Sequence, residues 1–361
     1  MNEKYMKYAL TLAKKGVGKV NPNPLVGAVL VKSGKIIGEG YHEFYGGAHA
    51  EINALKSASE SVDGATLYVT LEPCSHYGKT PPCVEAIIKS KIAQVIIGSL
   101  DPNPLVSGKG ILRLKEAGVQ VVTGVLEEEC KKLNEVFMKY IEKKEPFVVL
   151  KSAMTLDGKI ATVTGESKWI TGEAARHEVH QLRNAFSGIM VGVETVIKDD
   201  PQLTCRIMNG RNPIIIVVDS RLRIPMTSKI LTGESKVIMA TTRQAKQSKV
   251  SELRELGISV LVLESHKGRV DLKQLMKQLG QLEIDSVLLE GGASLNESAL
   301  KAGIVDKVQF YIAPKIIGGE KAKTPIGGEG IEHLEDAIQI KDLKMQVIGE
   351  DIVLEGYVER K

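Results

Sequence analysis

The chain has 361 residues, 43% of them apolar and 25% charged, and a formal net charge of +4. That length suits two domains better than one core, and a small positive charge without a long basic run speaks against nucleic-acid binding while leaving room for an anionic small substrate. Four cysteines are too few for a disulfide framework, the charged start Met1-Asn2-Glu3-Lys4 is followed by no signal core, and no apolar run approaches membrane-spanning length. A reducing, cytoplasmic setting without a membrane partner is expected.

In chain order, Tyr5, Met6, Ala9, Leu10, Leu12 and Ala13 recur at helical spacing over 3–15 and stop at Gly16. Asn21-Pro22-Asn23-Pro24 reads as an irregular loop. Residues 25–31 read as a buried strand, turning at Ser33-Gly34 into a hairpin partner over 35–38. From His49 the pattern alternates. Glu51 opens the helical run Ile52, Ala54, Leu55, Ala58, and Thr66–Leu71 is a strand. A helix follows Pro81, then a strand over 94–98, a helix over 109–117, a strand over 119–122 and a single helix over 127–142. Such alternation predicts an α/β domain whose sheet is covered on both faces. Lys143-Lys144-Glu145-Pro146 marks the expected boundary, giving domains over 1–145 and 146–361.

The second half opens with a strand over 147–153. Further strands are expected over 188–193, 214–219, 236–240, 260–263, 286–290, 308–313 and 352–358, with helices over 243–256, 271–280 and 294–302. This predicts a second α/β domain, its sheet mainly parallel with an antiparallel tail. No Gly-x-Gly-x-x-Gly follows a strand, so a Rossmann dinucleotide fingerprint is absent. At Glu290-Gly291-Gly292-Ala293 a strand gives way to glycines and then a helix. Backbone N–H groups there can approach a phosphate, and ordinary turns also use Gly-Gly.

The chemistry is concentrated in His49-Ala50-Glu51 and in Thr70-Leu71-Glu72-Pro73-Cys74-Ser75-His76-Tyr77-Gly78-Lys79-Thr80-Pro81-Pro82-Cys83. His49, Cys74 and Cys83 supply three ligands that suit tetrahedral Zn2+ with a fourth position left for water, whose pKa the metal lowers. Glu51 is not needed as a ligand. It is placed to take a proton from water and pass it to a departing amine. His-x-Glu followed by Pro-Cys, a spacer and Cys is the signature of zinc-dependent nucleobase deaminases. A purely structural zinc site would close its sphere with four protein ligands and carry no poised carboxylate, and Cys130 and Cys205 stand too isolated to complete one. Asn23 fits turn chemistry and base-edge hydrogen bonding equally.

Two further features narrow the reading. The Cys74–Cys83 spacer is longer than in most nucleotide deaminases, and Asn21-Pro-Asn-Pro-Leu-Val-Gly27 precedes it. Together with Lys151-Ser-Ala-Met-Thr-Leu-Asp-Gly-Lys159, Ser167-Lys-Trp-Ile-Thr171, Val191-Gly-Val-Glu-Thr195, Asp199-Asp-Pro-Gln-Leu203, Glu290-Gly-Gly292 and Ala313-Pro-Lys315, these motifs closely resemble the bifunctional riboflavin-biosynthesis deaminase/reductase family over nearly the whole chain. The resemblance implies a cytidine-deaminase-like three-layer α/β/α domain followed by a dihydrofolate-reductase-like α/β domain. It implies zinc-dependent hydrolytic deamination of 2,5-diamino-6-ribosylamino-4(3H)-pyrimidinone 5′-phosphate, then NADPH-dependent reduction of ribosyl to ribityl.

By the same resemblance Asn23, His42 and Lys79 line the pyrimidine and phosphate side of the deaminase pocket. Ala153, Trp169, Thr195, Asp199 and the segment from Gly292 contact NADPH. Ser167, Arg183, Leu203, Arg206 and Glu290 meet the ribosyl phosphate, which a guanidinium fork suits. Lys151 lies near the reacting sugar, and either Lys151 or Glu290 supplies a proton during hydride transfer. His76 is read as support for the metal loop and not as a ligand. A homo-oligomer, dimer or tetramer, is expected.

Two rival readings remain to be weighed. A deaminase of bases in tRNA or single-stranded DNA needs a basic, aromatic-lined channel, and a chain with 4% aromatic residues supplies it poorly. A non-catalytic zinc protein with an NADPH-sensing half leaves Glu51 without a purpose.

Overall fold

The computed structural model describes residues 3–75, 81–103 and 107–359. The chain divides into two compact units, Met1–Lys144 and Glu145–Lys361. Unit 1 runs α1 (Glu3–Ala13), β1 (Gly27–Lys32), β2 (Lys35–Tyr41), α2 (Ala50–Lys56), β3 (Thr66–Leu71), α3 (Cys83–Lys89), β4 (Gln94–Ser99), α4 (Lys109–Glu116), β5 (Gln120–Thr123), α5 (Glu127–Leu133) and α6 (Glu135–Lys143). Among the described residues its sheet has the order β2-β1-β3-β4-β5, with β1 antiparallel to both neighbours and the rest parallel.

Strand alternation explains the layers. On β1, Ala28 and Leu30 join the core beneath α2, α3 and α4, while Val29 and Val31 point to the opposite face and meet Met6, Ala9 and Leu12 of α1. Met6 and Leu12 are essentially fully buried, which stabilises the fold by about 1.5–3 kcal/mol per large apolar side chain. The β1–β2 turn places Ser33 and Gly34 at φ 49° and 76°, the pair of positive angles a two-residue hairpin favours. Closer to the site, a Cβ at Gly38 would stand 2.6 Å from the Ala54 carbonyl, and one at Gly40 would collide with Ala50 and Ala54. Only glycine lets β2 pass this close under α2, the helix that carries Glu51.

The stretch over 127–142 forms two helices instead of one. Asn134 leaves the helical region at φ −108° and ψ 20°. Its amide reaches across the unit, accepting from Leu25 N at 2.8 Å and donating to Leu25 O at 2.9 Å. A distant backbone claims the side chain, and the helix breaks to supply it.

Unit 2 runs β6 (Phe147–Thr155), α7 (Glu173–Ala185), β7 (Gly188–Gly192), α8 (Val193–Asp199), β8 (Ile214–Val218), α9 (Lys229–Thr232), β9 (Val237–Thr242), α10 (Gln247–Glu255) and β10 (Ser259–Leu263). It continues with β11 (Ser265–His266), β12 (Arg269–Val270), α11 (Leu272–Gln281), β13 (Ser286–Leu289), α12 (Ala293–Lys301), β14 (Lys307–Ala313), β15 (Ile340–Ile348) and β16 (Asp351–Val358). The main sheet has the order β10-β9-β8-β7-β13-β6-β14-β16-β15. It is parallel from β10 to β14 and antiparallel across β16 and β15. Met190 faces a core capped by Leu275, Met276 and Leu279 of α11, while Ile189 and Val191 face one capped by Val196 of α8 and Leu253 of α10. The sheet is therefore covered on both faces over its parallel part. No described helix is long and apolar enough to cross a membrane.

Candidate active sites

Three chain segments converge in unit 1. His49 is the residue before α2, Glu51 sits in the first turn of that helix, and Cys83 is the first residue of α3 after Pro82. Cys74 lies just beyond β3. His49 Nδ1 stands 3.2 Å from Cys83 Sγ and 3.5 Å from Cys74 Sγ, and all three ligand atoms lie within 4.8 Å of one another. Tetrahedral zinc, with bonds of about 2.3 Å to sulfur and 2.0–2.1 Å to nitrogen, separates N from S by roughly 3.6 Å. The three side chains fit the metal.

Charge in this cluster favours one thiolate, on Cys74. The Cys83 thiol donates to Cys74, pulling Cys74 down to about 4, with the His49 ring and the Cys83 backbone N–H (3.3 Å) adding to the effect. Cys83 itself is pushed up for the same reason. The Glu51 carboxyl is buried at 3% exposure and hydrogen-bonded to Cys83. Burial and then the Cys74 charge raise it, against the opposing pull of His49, to about 7.

Beside the metal cluster lies a second polar pair. His42 is buried at 3% exposure, and its ring meets the His49 ring edge-on with centroids 5.5 Å apart. His42 Nδ1 is 3.0 Å from Ala48 O, and His42 Nε2 is 3.1 Å from Asn23 Nδ2. Lys79 and His76 lie outside the described residues.

Sequence reasoning missed Glu72. Its buried carboxylate accepts from the N–H groups of Gly108 (3.1 Å), Gly110 (3.1 Å) and Ile111 (3.4 Å), closing the N-terminus of α4 two residues before the ligand Cys74. A lone Glu in a metal motif gives no local sign of a partner more than thirty residues away.

In unit 2 the parallel register Leu289↔Leu150 brings β13 and β6 side by side, so Glu290 and Lys151 follow at neighbouring positions towards their C-terminal ends. Ligands of parallel sheets bind at that edge. Arg183 of α7 reaches Glu290 with both prongs, Nε to Oε1 at 2.8 Å and Nη2 to Oε2 at 2.9 Å, while its Nη1 donates to Thr204 O at 3.1 Å. Burial would raise the Glu290 carboxyl, but Arg183 and Lys151 more than reverse this and hold it at about 2. The Lys151 ammonium lies 5.5 Å from the centroid of the Tyr311 ring. Burial lowers its pKa, against the pull of Glu290.

Leu203 turns through φ 55° with its side chain in the core, so its backbone is what it can offer. Arg206 is exposed and donates to Gln202 at 3.0 Å. Trp169 is 64% exposed, its ring stacked on the Arg176 guanidinium at 4.7 Å. Lys315 donates to Trp169 O (3.1 Å) and Ile170 O (2.7 Å), pinning that segment. Gly291 has φ 92° and Gly292 precedes α12, where a Cβ would stand 3.4 Å from Thr195 Oγ1. This glycine corner at a helix start, with Thr195 alongside, leaves backbone N–H groups open to a cofactor phosphate and fits NADPH. Ala153 lies on β6, paired with Tyr311 of β14. Ser167 and Asp199, half-buried and exposed, share no described contact with the rest.

Comparison with known proteins agrees with this geometry. The profile of the cytidine and deoxycytidylate deaminase zinc-binding region matches residues 1–99, and that of the RibD C-terminal domain matches residues 146–354. The riboflavin biosynthesis protein RibD of Actinobacillus pleuropneumoniae is 53% identical over 356 residues, spanning 98% of this chain and 94% of that protein. A crystal structure from Thermotoga maritima, a diaminohydroxyphosphoribosylaminopyrimidine deaminase/5-amino-6-(5-phosphoribosylamino)uracil reductase, superposes with TM-score 0.88 at 40% identity, covering 99% of this chain and 98% of that one. Acinetobacter baumannii RibD superposes with TM-score 0.89 at 39% identity, covering 99% of each chain.

Proposed function

The chain belongs to the RibD family of riboflavin-biosynthesis proteins, and from that premise we propose which of its side chains carry the two reactions. It is a bifunctional enzyme, a zinc-dependent deaminase and an NADPH-dependent reductase. The substrate we assign to unit 1 is 2,5-diamino-6-ribosylamino-4(3H)-pyrimidinone 5′-phosphate. Unit 2 then reduces the ribosyl group of the deaminated product to give 5-amino-6-ribitylamino-uracil 5′-phosphate.

In unit 1, His49, Cys74 and Cys83 would hold Zn2+, which when bound would lower the pKa of a water and make it a nucleophile. Glu51 moves the protons. Deamination forms a C–O bond, breaks the C–N bond and releases ammonia, so a proton must travel from the water oxygen to the departing nitrogen. A carboxyl group buried beside Cys83 and held near neutrality both accepts and donates readily. Asn23, His42 and Lys79 receive the pyrimidine and its phosphate. The observation that carries this reading is the convergence of three ligand atoms with one buried carboxyl beside them.

In unit 2, Ala153, Trp169, Thr195, Asp199 and the backbone from Gly292 receive NADPH, which supplies the hydride when bound. Ser167, Leu203, Arg206 and the Arg183–Glu290 pair face the sugar phosphate. Reduction breaks the bond between the anomeric carbon and the ring oxygen, so one proton must reach that oxygen. Glu290, ionised and clasped by Arg183, has none to give. Lys151 lies beside the Tyr311 ring and donates no hydrogen bond among the described residues, so we assign it as the proton donor.

We further infer a homo-oligomer, a dimer or tetramer, working in the cytoplasm. The outermost strand β15 supports assembly, because it exposes Leu343, Met345 and Val347 along one side. Sedimentation tests that point. The activities are tested together by incubating the zinc-loaded protein with the diaminopyrimidinone ribosyl phosphate. A mass gain of about one unit from amine-to-oxygen exchange, then about two more only when NADPH is supplied, is the expected result. No mass change at all sinks the substrate assignment.

A further inference from the structure

Tyr311 carries an inference that deepens the reductase reading of unit 2 and rests on Lys151 being its proton donor. In the parallel register of β6 and β14, Lys151 pairs with Gln309 and Ala153 with Tyr311, so all four side chains stand on one face of the sheet. Ala175, Val179 and Leu182 of α7 cover that face, and Tyr311 packs beneath them, wholly buried. Ala153, the next residue on that face of β6, is too small to block the way, and the Lys151 ammonium stands 5.5 Å from the Tyr311 ring centroid. Apolar packing alone does not call for a tyrosine here. A buried phenol oxygen costs stability unless it is bonded, and a leucine or phenylalanine would fill the space without that need. This phenol is bonded on both sides. Gln309 Nε2 donates to it at 3.1 Å, which uses a lone pair and leaves the phenol proton for Glu178 of α7. Glu178 Oε1 is itself held by Gln309 Nε2 at 3.3 Å and Gln346 Nε2 at 3.5 Å.

We infer that Tyr311 is a positioning residue of the reductase, its ring face holding the Lys151 ammonium in place while Glu178 and Gln309 hold the ring. An aromatic face attracts a cation electrostatically, most strongly where water is excluded. A phenol that donates its proton to a carboxylate is polarised by that bond, which adds to the attraction. Lys151 therefore has two unlike partners. Glu290 of β13 supplies an opposite charge, and Arg183 of α7 offsets part of it. Tyr311 draws the ammonium without a strong acceptor, so it favours the charged form while leaving the protons free. That suits a group that must give a proton to the sugar oxygen. α7 sets both partners, with Arg183 clasping Glu290 and Glu178 taking the phenol. The titratable groups beyond these are His180 of α7, which faces Glu290, and Glu355 of β16, which faces Tyr311 and pairs with Lys307 of β14 at 3.0 Å.

The test reads the titration of Lys151 in two ways. In the full-length protein the Lys151 Cε resonance, identified by its loss in Lys151→Met, is titrated by carbon NMR. The alkaline limb of single-turnover NADPH oxidation is recorded alongside. Tyr311→Leu removes the ring and is expected to lower both midpoints by roughly one pH unit, while Tyr311→Phe keeps the ring and most of the wild-type midpoint. Phenylalanines carrying one, two and three ring fluorines at position 311 weaken the face with little change of shape, and the midpoints are expected to step down with each fluorine. A double variant of Lys151→Met and Tyr311→Leu is expected to reduce no more slowly than Lys151→Met alone, because Tyr311 acts through Lys151. Midpoints that ignore fluorination in proteins of wild-type melting temperature overturn the inference, and so do single losses that multiply in the double variant. A Phe variant shifted as far as the Leu variant assigns the effect to the hydroxyl and overturns it as well. Reduction at the wild-type rate by Lys151→Met instead overturns the donor assignment and with it any role of Tyr311 in reduction, while an NMR midpoint that still steps with fluorination leaves the ring–ammonium contact established.

Discussion

Arg183 closes on Glu290 across 107 residues of sequence with two nearly parallel hydrogen bonds, 2.8 and 2.9 Å long. Both side chains are mostly buried. The guanidinium fork, the feature that makes an arginine suited to phosphate, is here spent on a carboxylate of the same chain. The pair organises unit 2 around an ionised Glu290 and leaves the nearby Lys151 as the group with a proton to spare.

Removing one partner strands a buried charge. Arg183→Met is therefore expected to cost about 3–5 kcal/mol in the stability of unit 2, and Glu290→Gln somewhat less because the amide still accepts. The pair also has a pH signature. Glu290 is held at about 2 in the folded protein against an ordinary value of 4.5. A carboxyl lowered on folding contributes stability that is full above its unfolded value and is lost as pH falls towards its folded value. Denaturation midpoints are expected to drop between about pH 5 and pH 2 in the wild type, with a shallower drop in Glu290→Gln. Equal slopes in the two proteins would show that the pair is not linked to folding.

Lys151 gives a prediction of opposite sense. A proton donor works while protonated, so reduction is expected to be constant at lower pH and to fall as pH rises through the Lys151 pKa. Burial lowers that pKa, so the fall should come below the ordinary lysine value of 10.5. Lys151→Met is expected to reduce the single-turnover rate of NADPH oxidation by about 10²–10⁴-fold. An alkaline limb that survives unchanged in Lys151→Met would assign it to another group.

Glu51→Gln removes the proton carrier while keeping its shape. Deamination is expected to fall by about 10²–10⁴-fold with zinc content unchanged, measured by product mass and metal analysis on the same sample. Turnover near that of the wild type would return the zinc site to a structural role.

Glu72→Ala leaves three N–H groups at the start of α4 without their acceptor. A loss of about 1–3 kcal/mol in the stability of unit 1 is expected, with Glu72→Gln intermediate because one oxygen remains. Chemical denaturation followed by a probe in unit 1 checks the order of the three proteins.

What the sequence disclosed depended on how local the physics is. β3 and α3 were legible because apolar residues repeat at the strand and helix periods. The meeting of His49, Cys74 and Cys83 was legible because two of them fall inside one short motif with the third just upstream of Glu51. α7 escaped because only Ala175 and Val179 of its thirteen residues are buried, too few to show a period. β15 escaped because the irregularity between Lys341 and Lys344 breaks its register and leaves only the short alternation of Leu343, Met345 and Val347 to read. The break at Asn134, the closure of α4 by Glu72 and the Arg183–Glu290 bridge all join residues far apart in the chain, and no window of sequence contains both ends of any of them.

The clasp between Asn134 and Leu25 bears on the order in which the protein is assembled. His49, Cys74 and Cys83 have all emerged from the ribosome once residue 83 has, yet the loop bearing Asn23, two residues from Leu25, gains its anchor only when residue 134 emerges. A nascent chain thus carries its three candidate ligands before it carries the residue that tethers the Asn23 loop.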